Sequence, residues 1–349
     1  MGTAALNKWS IMLNKWSIML KGIAPLRSGV QRAMSLIRGG GGRKLDSGDI
    51  SPPSCHICQG RLVYKWTLAV LADKYSAEYY ECTTCRSLQV PRPFWLEEAY
   101  RSESMALACN PDTGRFIRNF SAYRYLTALH KAGVFPTEPC LLDFGGGYGL
   151  LTQMLYSGGY NAYQTDPFVP IPFLAAERCL ADLERIPKAQ FDAITALEVL
   201  EHLTDPHKTL MGLTSVLKPT GTLIFSTEIY EAGVHDAGWN YLAREWGQHV
   251  TFWSKPALHY LAGRHGFRSV GYFPGAGGFL ILFSRTSPDS LKRMLVEATA
   301  HLSDYRQLAQ AISSWDILPL VGGQVREEEI VQAAIPYSPS DLSQVESAA

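Results

Sequence analysis

The chain has 349 residues, of which 46% are hydrophobic and 18% charged, and its formal net charge is zero. This composition is typical of a globular protein that buries a core, and the length exceeds that of one typical domain. An overall neutral chain is a poor candidate for a protein that coats nucleic acid. The sequence has no apolar run of about 18 residues, so no membrane-spanning helix is expected.

The first 45 residues carry eight basic side chains and no acidic one. They include the heptad LNKWSIM twice in succession, which places leucine and tryptophan on one helical stripe. Such a basic helix could contact an anionic membrane surface or act as a targeting segment, but an unstructured terminal extension is the favoured interpretation. Lysines interrupt any secretory signal in this region, which favours a cytoplasmic protein. The expected extension covers residues 1–52 and ends in a flexible linker rich in glycine, serine and proline.

Four of the seven cysteines form two C-x2-C pairs that are separated by 23 residues. Each pair can place two thiolates on one edge of a tetrahedron, and two pairs complete the four-sulfur shell of a structural Zn²⁺ site. Redox pairs and free thiols are the alternatives, and His56 is expected to be a solvated residue between two ligands. The spacing predicts a zinc ribbon over residues 53–100 in a reducing compartment. Its ligands would be Cys55, Cys58, Cys82 and Cys85.

From about residue 112 onwards, helical patterns alternate with short apolar runs that are typical of strands. This alternation implies crossover connections and a mostly parallel sheet. The last two runs, FRSVGYF and FLILFS, are separated only by PGAGG, which predicts an antiparallel hairpin. The predicted fold class is α/β, with a doubly wound, mostly parallel seven-stranded sheet within residues 101–286. A helical extension over residues 287–335 and a disordered tail over 336–349 are expected to follow.

The stretch LLDFGGGYGLL, from Leu141 to Leu151, predicts a strand that turns sharply into a helix at a ligand site. A dinucleotide-binding turn has the pattern G-x-G-x-x-G, and Leu150 occupies the position of its third glycine. The carboxylate of Asp143 would repel a nearby pyrophosphate but suits a ligand that carries an ammonium and a sulfonium group. The turn therefore favours a cationic sulfur ligand over a dinucleotide.

The same stretch resembles the first motif of class I S-adenosylmethionine (SAM) dependent methyltransferases, (D/E)-x-G-x-G-x-G. FDAITALEVLEHLTDP is similar to the following signature in enzymes of the ubiquinone- and menaquinone-biosynthesis type. The resemblance implies a Rossmann-like fold, ribose binding by Asp166 and a contact of Asp182 with the adenine amino group. The cofactor contacts that it implies are Asp143, Phe144, Gly145, Gly147, Gly149, Asp166, Asp182, Leu197 and Glu198.

Three polar residues follow the strands whose ends should border the ligand: Glu201, His202 and His249. An imidazole or a buried carboxylate can remove a proton from an acceptor near neutral pH. His249 is predicted to be either a general base or a residue that anchors its own loop. Glu201 and His202 are candidates for the same role but are expected to position the loop next to the cofactor.

The combination of a zinc ribbon and a SAM fold resembles bacterial sugar C-methyltransferases. The resemblance implies methyl transfer to a small molecule, such as a nucleotide-linked sugar or a glycan precursor, with SAM and Zn²⁺ as cofactors. The alternatives are an RNA methyltransferase guided by the zinc ribbon, a nicotinamide-dependent oxidoreductase and a catalytically silent scaffold. A nucleic-acid partner is disfavoured because the ribbon carries no dense basic cluster, while residues 1–45 could make a peripheral membrane contact.

Overall fold

The computed structural model describes residues 54–100, 113–166, 174–275 and 278–313. The predicted extension over residues 1–52 and the predicted tail over 336–349 lie outside these ranges. None of the described helices is long and apolar enough to cross a bilayer.

The central sheet has six strands in the order β5-β4-β6-β7-β10-β9. The first four strands of this order are mutually parallel, and β10 runs antiparallel to both β7 and β9. The hairpin predicted from the short PGAGG connection is therefore confirmed. The strands are β4 (Cys140–Phe144), β5 (Asn161–Thr165), β6 (Phe191–Leu197), β7 (Leu217–Thr227), β9 (Ser269–Gly275) and β10 (Gly278–Ser284).

The predicted seventh strand is not found in the described part of the chain. Beyond β5, the sheet continues only as a single parallel bridge between Gln164 and Cys179. The chain around this bridge forms two short 3-10 helices, Ala176–Arg178 and Leu183–Arg185. Because these turns divert the backbone from the extended direction, no ladder forms at this edge.

Helices cover both faces of the sheet, as expected for parallel strands that are buried on both sides. Strand β6 reads FDAITAL, and all of its residues except the last are buried. One face packs against α2 (Thr113–Lys131), α3 (Leu150–Ser157) and α6 (Pro288–Ser313). The other face packs against α4 (Pro206–Val216) and α5 (Lys255–Arg264). Helix α6 occupies the first part of the predicted helical extension, and residues 314–335 lie outside the described ranges.

The cysteine-containing unit is a second, smaller sheet with the strand order β1-β2-β3-β8. Its strands β1 (Leu62–Val70), β2 (Tyr75–Cys82) and β3 (Leu88–Gln89) precede the short helix α1 (Leu96–Ala99). The fourth strand, β8 (Thr251–Phe252), comes from the segment that follows the central strand β7. The two sheets therefore share a chain segment, and we refer to residues 54–100 as the cysteine module.

Candidate functional site

The turn between β4 and α3 has a backbone that requires glycine. Gly145, Gly147 and Gly149 all adopt positive φ angles, which side chains other than glycine rarely tolerate. A Cβ atom added to Gly146 would lie 2.7 Å from Asp143 Oδ2, whereas one added to Gly147 would meet nothing within 4 Å. The loop thus packs tightly on its inner side and is open at Gly147, which leaves room for a ligand against the backbone.

Asp166 follows β5 and lies next to this glycine loop. Its Oδ2 atom accepts a hydrogen bond of 2.8 Å from the backbone N–H of Gly147. The structure thereby joins two residues that the sequence assigned to one ligand site, although 19 positions separate them. This places a carboxylate at the carboxyl edge of the parallel strands, where open α/β sheets bind their ligands.

The Asp143 carboxyl group is buried beneath the glycine loop. Its Oδ1 accepts a hydrogen bond of 2.7 Å from the Thr195 hydroxyl, and Oδ2 accepts one of 3.4 Å from Thr152. Burial raises the pKa of Asp143 to about 7, and the nearby charge of Asp166 contributes to the increase. The side chain supports the loop from within, and its predicted contact with a cationic ligand stays a prediction.

Gln164 is a residue of this site that the sequence analysis missed. It precedes Asp166 by two positions in β5, and its Nε2 donates to the Gly147 carbonyl oxygen at 3.4 Å. Its buried Oε1 atom has no hydrogen-bond partner in the structure. A buried amide oxygen without a donor is costly, so a donor from a bound ligand would satisfy it. Apart from its place near the strand end, no sequence pattern points to this residue.

The remaining predicted cofactor contacts lie at the ends of neighbouring elements. Phe144 and Leu197 end β4 and β6 and are half-buried. The exposed Glu198 follows β6 with φ of 54°, and its Oε1 accepts a hydrogen bond of 2.7 Å from Ser226. Asp182 accepts a hydrogen bond of 3.0 Å from the Glu184 backbone, so it caps a local turn. An additional contact of Asp182 with adenine stays a prediction.

His249 lies close to Glu201 in a largely buried cluster. Its Nδ1 is 2.7 Å from the carbonyl oxygen of Tyr241, which can only accept a hydrogen bond, so Nδ1 carries the proton. The opposite nitrogen, Nε2, lies 3.9 Å from Glu201 Oε1. Burial lowers the pKa of His249 to about 4 and raises the pKa of Glu201 well above its ordinary value. The His249 imidazole is therefore neutral at pH 7, so its contact with Glu201 is not an ion pair.

His202 packs against His249 and is fixed by two hydrogen bonds. The two imidazole rings meet edge to face, with centroids 4.9 Å apart. Nδ1 of His202 lies 2.7 Å from the hydroxyl of Tyr100, and the ring also hydrogen-bonds to the backbone of Gln248. Burial holds its pKa well below the ordinary value. These contacts suit a residue that positions its neighbours, as the sequence analysis expected.

An aromatic wall borders this cluster in the segment between β7 and β8. Trp239 stacks on His235 with ring centroids 4.1 Å apart and donates a hydrogen bond of 3.1 Å to Glu228 Oε2. The ring of Tyr241 lies 4.8 Å from that of His249, and its hydroxyl donates a 2.8 Å hydrogen bond to Glu201. The sequence analysis did not single out Glu228.

The four predicted zinc ligands converge in the cysteine module. Their sulfur atoms all lie within 4.8 Å of one another, with 3.6 Å between Cys55 and Cys85 and 3.5 Å between Cys58 and Cys82. Backbone N–H groups of each pair donate to the first sulfur of that pair, as at Cys58 and Cys85. His56 is not solvated as predicted, because its Nε2 lies 2.9 Å from the Thr251 hydroxyl.

Comparisons with known proteins assign residues 116–271 to the family Methyltransf_23, described as a methyltransferase domain. The chain is 32% identical over 102 residues to a ubiquinone biosynthesis O-methyltransferase of Methylococcus capsulatus, covering 25% of this chain and 42% of that protein. It is 35% identical over 124 residues to the Bradyrhizobium protein of the same name, and this match covers 32% of this chain and 45% of that protein. The chain thus spans less than half the length of these curated relatives.

Among solved structures, the chain is similar to the 1,6-didemethyltoxoflavin-N1-methyltransferase of Burkholderia thailandensis. The two are 17% identical with a TM-score of 0.41, and the similarity covers 64% of this chain and 99% of that one. The glycine loop and Asp166 at its edge lie within residues 116–271, which match the family model of a methyltransferase domain.

Proposed function

We propose that the protein transfers a methyl group from SAM to a hydroxyl group of a small molecule, with His249 as the general base. The observation that carries this proposal is the hydrogen bond from His249 Nδ1 to the Tyr241 carbonyl. It leaves Nε2 as the unprotonated nitrogen of a ring whose side chain is 15% exposed. A neutral imidazole held in one orientation is the arrangement expected of a general base.

The residues around the glycine loop fit SAM. The loop is open at Gly147, and Asp166 offers carboxylate oxygens for the two ribose hydroxyls. The buried Gln164 Oε1 lacks a donor that a bound ligand can supply. When bound, SAM supplies an electrophilic methyl group on a positively charged sulfur. Asp143, Phe144, Leu197 and Glu198 would complete this site.

The polar residues around His249 would then orient the acceptor and take up its proton. His249 Nε2 would take up the proton of the substrate hydroxyl group as the hydroxyl oxygen attacks the methyl carbon. The Tyr241 carbonyl holds the imidazole ring in place through the Nδ1–H group. Glu201 is fully buried and accepts a hydrogen bond from the Tyr241 hydroxyl, so it holds Tyr241 in place rather than contacting the acceptor molecule. His202 has a hydrogen bond to Tyr100 and one to the Gln248 backbone, and it serves the same positioning purpose.

For the acceptor, we favour a nucleotide-linked sugar or glycan precursor. Glu228 at the aromatic wall can accept hydrogen bonds from sugar hydroxyls, and Trp239 can stack on a sugar ring. A phenolic acceptor is the second candidate, because the curated relatives are named as ubiquinone biosynthesis O-methyltransferases. The two acceptors differ in acidity and shape, so a direct comparison separates them.

We further propose that the cysteine module binds one structural Zn²⁺. A tetrahedral site with Zn–S bonds of about 2.3 Å has sulfur atoms about 3.8 Å apart, close to the 3.6 Å between Cys55 and Cys85 and the 3.5 Å between Cys58 and Cys82, which belong to different pairs. The hydrogen bonds from backbone N–H groups to sulfur suit thiolates. Four protein ligands leave no open position, so the metal would stabilise the module rather than take part in methyl transfer.

Calorimetry and a labelled-methyl assay test the enzymatic proposal. We expect SAM and S-adenosylhomocysteine to bind and NADH not to bind. Incubation with methyl-labelled SAM and separate panels of nucleotide-linked sugars and dihydroxylated phenols should label one panel only. Binding of NADH without binding of SAM would contradict the proposal, while labelling of phenols alone would replace the sugar with the second candidate.

A further inference from the structure

The end of the cysteine module lies directly against the loop that carries His249. Trp95 Nε1 donates a 2.7 Å hydrogen bond to the Gly247 carbonyl, and Gln248 Nε2 donates one of 2.8 Å to the Ala99 carbonyl. Both bonds involve the two residues that precede His249. Residues 95–100 therefore border the catalytic cluster and are not a remote linker.

Tyr100 ends this segment and is the module residue that contacts the histidine pair. Its hydroxyl lies 2.7 Å from His202 Nδ1, and its ring meets the His202 ring edge to face. A neutral imidazole has one donor and one acceptor nitrogen, so a Tyr100 hydroxyl that donates to Nδ1 leaves the ring proton on Nε2.

This arrangement fixes both the tautomer and the orientation of His202. The His202 ring in turn packs at 88° against the ring of His249, with centroids 4.9 Å apart. A rotation of His202 would therefore displace the proposed base. Hydrogen bonds to the neighbours of a catalytic group are a common means of holding that group in its productive geometry.

We infer that Tyr100 is a positioning residue of the methyl-transfer site, which acts on His249 through His202 and makes the cysteine module part of that site. Tyr100 lies outside residues 116–271, so the methyltransferase family match does not include it. The inference rests on the proposed function, because it assumes that His249 is the base.

Tyr230 provides a matched control for the loss of one buried hydroxyl. Its hydroxyl donates a 3.0 Å hydrogen bond to Glu81 Oε2 in the cysteine module, so it joins the module to the segment between β7 and β8. Tyr230 and Tyr100 are both buried. Tyr230→Phe thus removes a bond between the same two parts of the protein without touching the histidine pair.

The first readout is the ¹⁵N NMR spectrum of the histidine rings in the full chain, which needs no acceptor. In the wild type, we expect His202 to show one neutral tautomer with the proton on Nε2. Tyr100→Phe should produce a mixture of tautomers, raise the pKa of His202 and shift the His249 signals. The titratable groups that face His202 are Tyr100, His249 and Glu201. Tyr230→Phe should leave both rings unchanged.

The second readout is turnover with the acceptor that the labelled-methyl assay identifies. Tyr100→Phe should lower kcat by about tenfold and move the acid side of the pH–rate profile to higher pH, with the Kd of SAM within about twofold of wild type. The inference would be overturned if the His202 and His249 signals were unchanged in Tyr100→Phe. It would also be overturned if Tyr100→Phe and Tyr230→Phe lost kcat equally and neither variant changed the pH–rate profile. Failure of the proposed function is distinct, since the wild type would then not bind SAM or not transfer its methyl group.

Discussion

The imidazole of His249 donates from Nδ1 to the backbone carbonyl of Tyr241 at 2.7 Å. The opposite nitrogen is thereby left as a hydrogen-bond acceptor, 3.9 Å from Glu201 Oε1. His249 came from the sequence as a residue with two equally open roles, base or loop anchor. In the structure one nitrogen anchors the loop, and the other has the form that a base needs.

His249→Ala should lower kcat by about 10²- to 10⁴-fold, because the acceptor hydroxyl loses the group that removes its proton. Binding of SAM should persist, since the glycine loop and Asp166 are unaltered. Steady-state kinetics together with calorimetry check both statements. His301→Ala, on helix α6, is the control and should behave as the wild type. Unchanged turnover in His249→Ala would end the assignment of the base.

The pH dependence of kcat/KM should reflect the lowered pKa of His249. The base is active when neutral, so the rate rises with pH through its pKa of about 4 and is level at neutral pH. An ordinary solvated histidine would instead give half of the maximal rate near pH 6.5. A profile measured between pH 4 and 8 with saturating SAM distinguishes the two. A midpoint above pH 6 would show that His249 is not the buried neutral base described here.

Asp143→Asn should change how stability depends on pH in the absence of ligand. The folded protein holds the Asp143 proton with a pKa of about 7, far above the ordinary value of 3.8. The stabilisation by this proton is complete below pH 4 and is lost as pH rises through 7. The variant has no such proton to lose. Its free energy of unfolding, relative to that of the wild type, should therefore be about 1–3 kcal/mol higher at pH 8 than at pH 4. Urea unfolding of both proteins at pH 4 and pH 8 measures this change. If the free energies of unfolding of the variant and the wild type differ by the same amount at both pH values, the burial of an ionisable carboxyl group is contradicted.

Cys82→Ser should remove the proposed zinc and destabilise the cysteine module. We expect about one Zn²⁺ per wild-type chain by elemental analysis and a clear loss of metal and a lower Tm in the variant. Because β3 pairs with β8 two positions after His249, kcat should fall as well. Cys179→Ser, a half-buried cysteine outside the cluster, should keep its metal and its activity. A wild-type protein purified without metal that keeps its full Tm would contradict the site.

The features that the sequence determined are those with a local physical signature. Positive φ angles demanded glycine at positions 145, 147 and 149, and the C-x2-C spacing dictated two sulfur-bearing turns. The short PGAGG connection likewise required an antiparallel hairpin. The seventh strand is not found among the described residues, where 3-10 turns on both sides of Cys179, which no periodic pattern predicts, leave a single bridge.

Only the tertiary structure decided which residues meet across long stretches of chain. Tyr100 and His202 are 102 positions apart, and neither carries a local pattern that predicts their hydrogen bond. The same holds for the link between Thr251 and His56, which joins the first cysteine pair to the strand after His249. Such contacts depend on how the two sheets pack through β8. The free energy of that packing is spread over many residues, so no single segment of the sequence predicts it.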